Sequence, residues 1–205
     1  MKKRILSILL LCCMVLTLLP TTVLAADGPM DTIPKYDVSI DVYNRTSDIS
    51  IKDSRSYYIY SSVPDKLRDT WAWDKKIFIK GDKTAPHVFI DGVNIEMSPS
   101  SKGPAIELNK KASAYIYFIG KNSSLQGADG RAAIQKNRSE GQLYVLARTG
   151  TTVTCKGGDK AAGIGGSYAT RNISNGYYNG DMYGHGVNMH FGSQSNPDYW
   201  GGTIA

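Results

Sequence analysis

Residues 87–108 read HVFIDGVNIEMSPSSKGPAIEL, and this pattern occurs three times in the chain. It returns as AYIYFIGKNSSLQGADGRAAIQK at residues 114–136 and as GQLYVLARTGTTVTCKGGDKAAGIGG at residues 141–166. Aligning the three stretches gives four apolar columns with steps of about 28 residues. Such spacing is typical of a fold in which like residues lie above like in successive coils. The predicted columns are Val88, Ile116 and Leu143; Ile90, Phe118 and Val145; Met97, Leu125 and Val153; and Ile106, Ile134 and Ile164.

Within each stretch, apolar residues alternate with polar ones, which is the period of a β-strand. Gly, Asn, Asp and Ser lie between the strand-like segments and mark the corners. One repeat of this length cannot bury its own apolar face, so successive coils have to stack. The sequence therefore predicts an all-β fold, a parallel β-helix (β-solenoid) with coils of about 28 residues and three sides. A β-sandwich made of hairpins is the alternative, because Asp91-Gly92 is a hairpin signal.

The segments on either side of the repeats predict a cap and a further coil. Ile49 to Tyr60 and Lys76 to Gly81 have strand-like alternation, so residues 26–86 are expected to form a leader and an N-terminal β cap. Residues 87–205 are expected to form the solenoid coils. GGTIA at residues 201–205 looks like the start of another coil, which predicts further coils of the same longer protein. A short protein that pairs through its open sheet edge is the rival interpretation.

The N-terminus has the three parts of a secretory signal peptide. Residues 2–4 are basic, residues 5–19 are almost wholly apolar, and residues 23–25 place small or acceptable side chains at the cleavage site. The apolar run is shorter than the roughly 20 residues that cross a bilayer. The sequence therefore predicts a signal peptide at residues 1–25, a secreted or cell-wall protein, and no membrane segment after cleavage.

Removal of that segment changes the composition of the mature chain. Cys12 and Cys13 leave with it, and Cys155 alone cannot form an internal disulfide, so packing has to stabilise the fold. The net charge of +6 falls by three to about +3. A charge this mild and scattered argues against a nucleic-acid partner.

Two strings resemble a known family. AAIQKNRSEGQLYV at residues 132–145 and TTVTCKGGDKAAGIGGS at residues 151–167 are similar to a repeat in large secreted surface proteins of gut Firmicutes, often labelled carbohydrate-binding-domain or β-helix surface proteins. The resemblance covers roughly residues 56–205, and AAGIGG is its most specific part. It implies a right-handed parallel β-helix on an exported protein and brings no defined catalytic site. Arg148 stands where the family prefers Gly or Ser, and residues 167–200 are longer and more aromatic than the family's connection.

Candidate catalytic residues are few. A polysaccharide lyase or glycoside hydrolase on a β-helix would need clustered carboxylates and an Arg or Lys base. The nearest set is Asp129, Arg131, Arg148 and Asp159, in which the two aspartates are 30 residues apart and are expected to stack at equivalent corners. Asp is an ordinary corner residue, so the preferred interpretation is structural.

Neither a metal nor a cofactor is predicted. His185 and His190 are five residues apart, with no Cys or carboxylate at ligand spacing, and His87 is distant in sequence. Cys155 is expected to be a small, partly buried side chain at the end of a strand. The chain contains no G-x-S-x-G elbow, and its GIGG run lacks the context of a dinucleotide fingerprint. No catalytic residue is therefore assigned.

Aromatic residues give the clearest functional signal. Trp71 and Trp73 are two apart, so both side chains leave one face of an extended segment. Flat aromatic faces stack on sugar rings while neighbouring amides and carboxylates bind hydroxyls; packing of a cap and a loop is the alternative role. The candidate carbohydrate-binding residues are Trp71, Trp73, Tyr177, Tyr178, Tyr183 and Trp200.

The preferred hypothesis is a secreted or cell-surface β-helix module for adhesion or carbohydrate binding, non-catalytic, with glycans or host or cell-wall polysaccharide as partners. A fragment of a β-helix carbohydrate-active enzyme, a polysaccharide lyase or glycoside hydrolase, is the first alternative. A structural stalk of a larger surface protein is the second.

Overall fold

A computed structural model gives the fold of the protein over most of the chain. The predicted signal peptide, residues 1–25, lies outside the part that it describes. Within that part, no helix combines the length and the apolar character needed to cross a membrane. The described residues are 33–101, 103–109, 111–136, 140–171, 180–183, 188–192 and 201–205.

The described residues form β-strands joined by corners and two short 3-10 helices, at Asp65–Leu67 and Pro99–Ser101. All the described strands have two to five residues, the length expected for one side of a small coil. The strands are β1 (Val38–Asp41), β2 (Ile49–Ile51), β3 (Ser56–Tyr60), β4 (Ile77–Lys80), β5 (His87–Asp91), β6 (Asn94–Glu96), β7 (Ile106–Asn109), β8 (Ala114–Phe118), β9 (Ser123–Gln126), β10 (Ile134–Lys136), β11 (Leu143–Ala147), β12 (Thr152–Lys156), β13 (Ile164–Gly165), β14 (Tyr168–Arg171), β15 (Gly180–Tyr183), β16 (Met189–Phe191) and β17 (Thr203–Ile204).

Three parallel sheets hold all of these strands except β14 and β15. Sheet A has the order β1-β3-β5-β8-β11-β16, sheet B the order β2-β4-β7-β10-β13, and sheet C the order β6-β9-β12-β17. The chain visits sheets A, C and B in turn, so that β5, β6 and β7 make one coil and β8, β9 and β10 make the next. This confirms the predicted β-solenoid, with about four turns and coils of about 29 residues.

Every described pairing inside these three sheets is parallel, which excludes the β-sandwich alternative. Asp91-Gly92 is a corner between sheets A and C, not a hairpin. Gly92 has a φ of 61°, a left-handed conformation that glycine adopts without steric cost, and this lets the chain turn sharply there.

The isoleucine column is confirmed and is longer than predicted. Ile106 pairs with Ile134, which pairs with Ile164, and on the other side Ile77 and Ile49 continue the column. The first four members in chain order are at most 2 % exposed. Burying one such side chain contributes about 1.5–3 kcal/mol, so this column, here called the isoleucine ladder, is a main source of the stability of the coils.

The predicted columns in sheet A are out of register at one strand. Val88 and Ile116 pair as predicted, but Ile116 pairs next with Val145, and Leu143 pairs with Ala114. The prediction was therefore wrong by two residues in β11. A shift of two residues keeps every side chain on the same face of a strand, so the apolar pattern alone does not distinguish the two registers.

Sheet C shows the same kind of difference. Leu125 pairs with Ile95 and with Cys155, whereas the prediction aligned it with Met97 and Val153. Both choices put an apolar side chain inside the solenoid. The partners differ by two residues, so alternation again favours neither register.

The stack begins before the predicted boundary at residue 87. β1 pairs with β3, which pairs with β5, and β2 pairs with β4 in sheet B. Val42, Ile49 and Ile51 belong to the same buried core as the later coils. Part of residues 26–86, which the sequence predicts to be a leader and cap, therefore forms solenoid coils.

One antiparallel pair interrupts the coils. β14 and β15 form a two-stranded hairpin after β13. The chain then returns to sheet A as β16 and to sheet C as β17. The long segment after AAGIGG is thus inserted between two coils.

Candidate functional site

The outer face of sheet C carries polar side chains in columns. Asn94, Ser124 and Thr154 are direct neighbours in register on β6, β9 and β12. Because successive residues of a strand face opposite sides, these three point away from the core, which Leu125 of the same sheet enters. A second outer column lies two residues further along each of these strands and consists of Glu96, Gln126 and Lys156.

A long connection forms a wall beside this face. Residues 61–73 lead from β3 in sheet A to the edge of sheet C. In the next two coils the corresponding connections from sheet A to sheet C are only residues 92–93 and 119–122. We call residues 61–73 the wall segment. Its last residue, Trp73, forms a bridge to Ile95 and so attaches the segment to the edge of sheet C.

Polar contacts fix the wall segment to the coils. Arg68 donates from Nη1 to the carbonyl of Gly92 at 3.0 Å and from Nη2 to the carbonyl of Val63 at 3.4 Å. Asn94 donates from Nδ2 to the carbonyl of Arg68 at 2.9 Å. Lys121 Nζ lies 2.8 Å from Asp65 Oδ1. The wall is therefore held at two successive coils.

Wall and sheet enclose a groove, here called the sheet C groove, with a volume of about 620 Å³. This volume lies within the range of ligand sites in proteins. A smaller hollow of about 140 Å³ adjoins it and shares Asp69, Asn94 and Ser124 with it. The residues that line the larger space are Asp65, Arg68, Asp69, Asn94, Gly120, Lys121, Asn122, Ser123, Ser124, Thr152 and Thr154.

The two aspartates of the wall differ in their surroundings. Asp65 bonds Lys121 and Arg68, and the hydrogen bond from Lys121 holds the pKa of its carboxyl below the usual value. Asp69 is exposed and, among the residues that the structure describes, has no hydrogen-bond partner for its carboxylate. Ser124 and Thr154 are also exposed. The groove thus offers one free carboxylate acceptor and two hydroxyls to a ligand.

Trp71, the first predicted sugar-stacking residue, lies at this site. It lines the smaller hollow and packs partly against the core. Its ring meets the ring of Tyr43 edge to face, with centroids 5.4 Å apart. Part of the indole remains available to a ligand.

The prediction that Trp73 is a sugar-stacking residue is wrong. Its side chain is only 2 % exposed and belongs to the core, and its Nε1 donates to the carbonyl of Arg45 at 2.8 Å. The spacing of two residues predicts a shared face, but Trp73 points into the solenoid while Trp71 lies at its margin and also lines the smaller hollow. Trp73 therefore packs the first coils and does not contact a glycan.

The remaining predicted aromatic residues are placed only in part. Tyr183 ends β15, where it pairs with Tyr168 of β14. Tyr177, Tyr178 and Trp200 lie outside the described residues, as does His185.

The enzyme candidates do not meet in the groove. Asp129 and Asp159 stack as predicted, since the backbone N–H of Asp159 donates to Asp129 Oδ1 at 3.4 Å. Arg148 is only 6 % exposed. None of these, nor Arg131, lines either hollow. Over the described part of the chain, no group of three or more His, Cys, Asp or Glu side chains could hold a metal ion.

Cys155 is half-buried in β12, as the sequence predicted. Burial raises the pKa of its thiol to about 12, because the thiolate would lose solvation there. At neutral pH the group is therefore a thiol, which is a poor nucleophile.

An aromatic ladder on the outer face of sheet A is a feature that sequence reasoning missed. His87, Tyr115, Tyr144 and His190 stack one above another, with ring centroids 4.7, 4.6 and 4.5 Å apart. The rings are within 14° of parallel. Each inner ring covers the faces of its neighbours, so a sugar cannot stack on them.

The floor of the sheet C groove was also missed, although a signal for it exists. Asn94, Ser124 and Thr154 follow one another at intervals of 30 residues, and so do Glu96, Gln126 and Lys156. A search for polar as well as apolar columns would have found both sets. Comparison of the chain with protein-family models, curated proteins and solved structures finds no match.

Proposed function

We propose that this protein is a secreted or cell-surface β-solenoid module that binds glycans, without catalysis, in the sheet C groove. The observation that carries the proposal is the polar column of Asn94, Ser124 and Thr154 beneath a wall that presents Asp69 and Trp71. Glycans of the host or of the cell wall are the expected partners, and adhesion is the expected role.

The chemistry of the groove suits sugars. A sugar hydroxyl both donates and accepts hydrogen bonds, and Asp69 supplies an acceptor while Ser124 and Thr154 supply either role. The partly buried indole of Trp71 adds an apolar surface for the C–H face of a pyranose ring. The apolar lining typical of drug-like pockets is missing from the larger space, whose described lining residues are polar or glycine.

The two alternatives lack a comparable site. The carbohydrate-active enzyme depends on Asp129, Arg131, Arg148 and Asp159, which lie outside the groove lining. The structural stalk requires only the stacked coils and gives no reason for the wall segment.

A glycan array tests the proposal. The chain without its first 25 residues is expected to bind at least one glycan, and Asp69→Ala is expected to weaken that binding about tenfold, because a hydrogen bond to a charged group contributes about 1.5 kcal/mol. Asp82→Ala is the matched control, since Asp82 is an exposed aspartate outside the groove. Absence of any bound glycan, or equal loss in both variants, would count against the proposal.

A further inference from the structure

The sheet C groove has a direction, because its polar residues repeat once per coil along the stacking axis. Neighbouring strands of a sheet are about 4.8 Å apart. The rings of the sheet A ladder show this step directly, with centroids 4.5–4.7 Å apart. A linear ligand that lies along the axis meets an equivalent polar group at each coil, whereas one that lies across it meets two groups and then a corner.

The wall segment runs in the same direction. Arg68 contacts the corner at Gly92, and Asp65 contacts the next corner along the axis, at Lys121. The wall therefore flanks the coils of β6 and β9. Thr154, on β12, lies one coil further along the axis than Ser124.

The charges of the site nearly cancel. Asp65 pairs with Lys121 at 2.8 Å and with Arg68 at 3.4 Å, and the guanidinium of Arg68 also bonds two backbone carbonyls. Asp69, Glu96 and Lys156 are exposed and have no ion-pair partner within the described residues. Two of these three charges are negative, and they flank the floor beside the wall. Asp69 and Glu96 both line the smaller hollow beside the wall, whereas the unpaired cation Lys156 lies on β12, one coil beyond β9. A polyanion would therefore meet repulsion next to the wall.

We infer that the ligand of the sheet C groove is an uncharged, linear oligosaccharide that lies along the stacking axis with one sugar residue per coil over three coils. This inference rests on the proposed function and specifies its substrate class. The coil spacing is close to the length of one pyranose residue in an extended chain. Ser124 and Thr154 would contact successive sugars through their hydroxyls. The first sugar would lie over Asn94, whose Nδ2 donates to the carbonyl of Arg68 and whose Oδ1 accepts from the N–H of Ser124, and it would bond Asp69 instead.

Calorimetric titration with oligomers of defined length tests the inference. The probes are one- to six-residue oligomers of β-1,4-linked glucose, xylose, mannose and galactose, and oligomers of galacturonate and mannuronate of the same lengths. The affinity of the best neutral series is expected to rise from the monomer to the trimer and then level off. The uronate series are expected to bind at least tenfold more weakly.

Single variants test the direction of the ligand. Ser124→Ala is expected to weaken dimer and trimer about threefold each, and Thr154→Val to weaken only the trimer by that factor, as a neutral hydrogen bond is worth about 0.7 kcal/mol. Ser50→Ala is the control, since Ser50 is exposed on β2 of sheet B and lines neither hollow of sheet C.

The outcomes separate the two proposals. Tighter binding of a uronate series, no gain from monomer to trimer, or equal effects of Thr154→Val on dimer and trimer would overturn the inference and leave glycan binding intact. Binding of none of the neutral or uronate series would overturn the inference. If a broad glycan array is also blank, the proposed function fails with it.

Discussion

Each inner isoleucine of the ladder in sheet B touches an identical side chain above and below. Ile106 lies between Ile77 and Ile134 and is fully buried. Removing most of one such side chain leaves a cavity that two neighbours line, and the strands hold those neighbours in place. The cost of the change is therefore set by the stack and not only by the lost transfer free energy.

Ile106→Ala is expected to lower the free energy of unfolding by about 3 kcal/mol, the middle of the range for truncation of a buried isoleucine. Urea denaturation followed by circular dichroism would measure it. Ile33→Ala is the matched control, because Ile33 is 47 % exposed, and its effect is expected to stay within about 0.5 kcal/mol. Equal losses in the two variants would show that the ladder does not have the assigned role.

At the scale of elements, the corners limit how closely coils approach. A Cβ on Gly158 would lie 2.0 Å from the carbonyl oxygen of Ala128 in the coil below. The backbone N–H of Gly158 also donates to the carbonyl of Arg131 at 3.0 Å. Backbone therefore packs on backbone at this corner, and no side chain fits between the coils.

Gly158→Ala is expected to destabilise the fold by about 3 kcal/mol or more, because backbone of two coils would have to separate. Gly150→Ala is the comparison: Gly150 has a φ of 84° but nothing within 4 Å of an added Cβ, so only left-handed strain of about 1–2 kcal/mol applies. Thermal or urea unfolding of both variants would rank them. A larger loss for Gly150→Ala would contradict this account of the corner.

The same elements show what sequence could predict. The column through Ile106 is predictable because Ile106, Ile134 and Ile164 each follow an Ala or Gly, a marker that fixes the alignment of the three repeats. The predicted registers in sheets A and C differ from the observed ones by two residues, because the alternation of apolar and polar residues along a strand is unchanged by that shift. Trp73 was assigned to the surface because spacing gives a shared face but not which face is inside.

At the scale of the whole molecule, the site depends on four separate regions of chain, at residues 65–69, 94, 120–124 and 152–154. The wall segment, at residues 61–73, reaches a floor whose members are as far away as Thr154. Polar residues spaced by 30 were visible in the sequence, but nothing local indicated that the wall would lie against them. The fold was therefore predictable from periodicity, whereas the groove required the tertiary arrangement.

Export is a prediction for the whole chain. When the full sequence is expressed in a Gram-positive host, the protein is expected in the medium or cell wall with Ala26 as its first residue, because residues 23–25 fit a signal peptidase site. N-terminal sequencing of the exported protein would check this. Ala25→Leu should reduce processing at that bond. An intact N-terminus on cell-associated protein would contradict the prediction.

The sheet A ladder gives the protein an optical property of its own. Tyr115 and Tyr144 are held 4.6 Å apart and within 7° of parallel, in the asymmetric setting of a twisted sheet. Electronic transitions of rings at such a distance couple, so this pair contributes to the near-ultraviolet circular dichroism of tyrosine as long as the two coils stay together. That contribution is lost when the coils part, even where individual strands persist, and the chain thereby carries an intrinsic spectroscopic reporter of its own assembly.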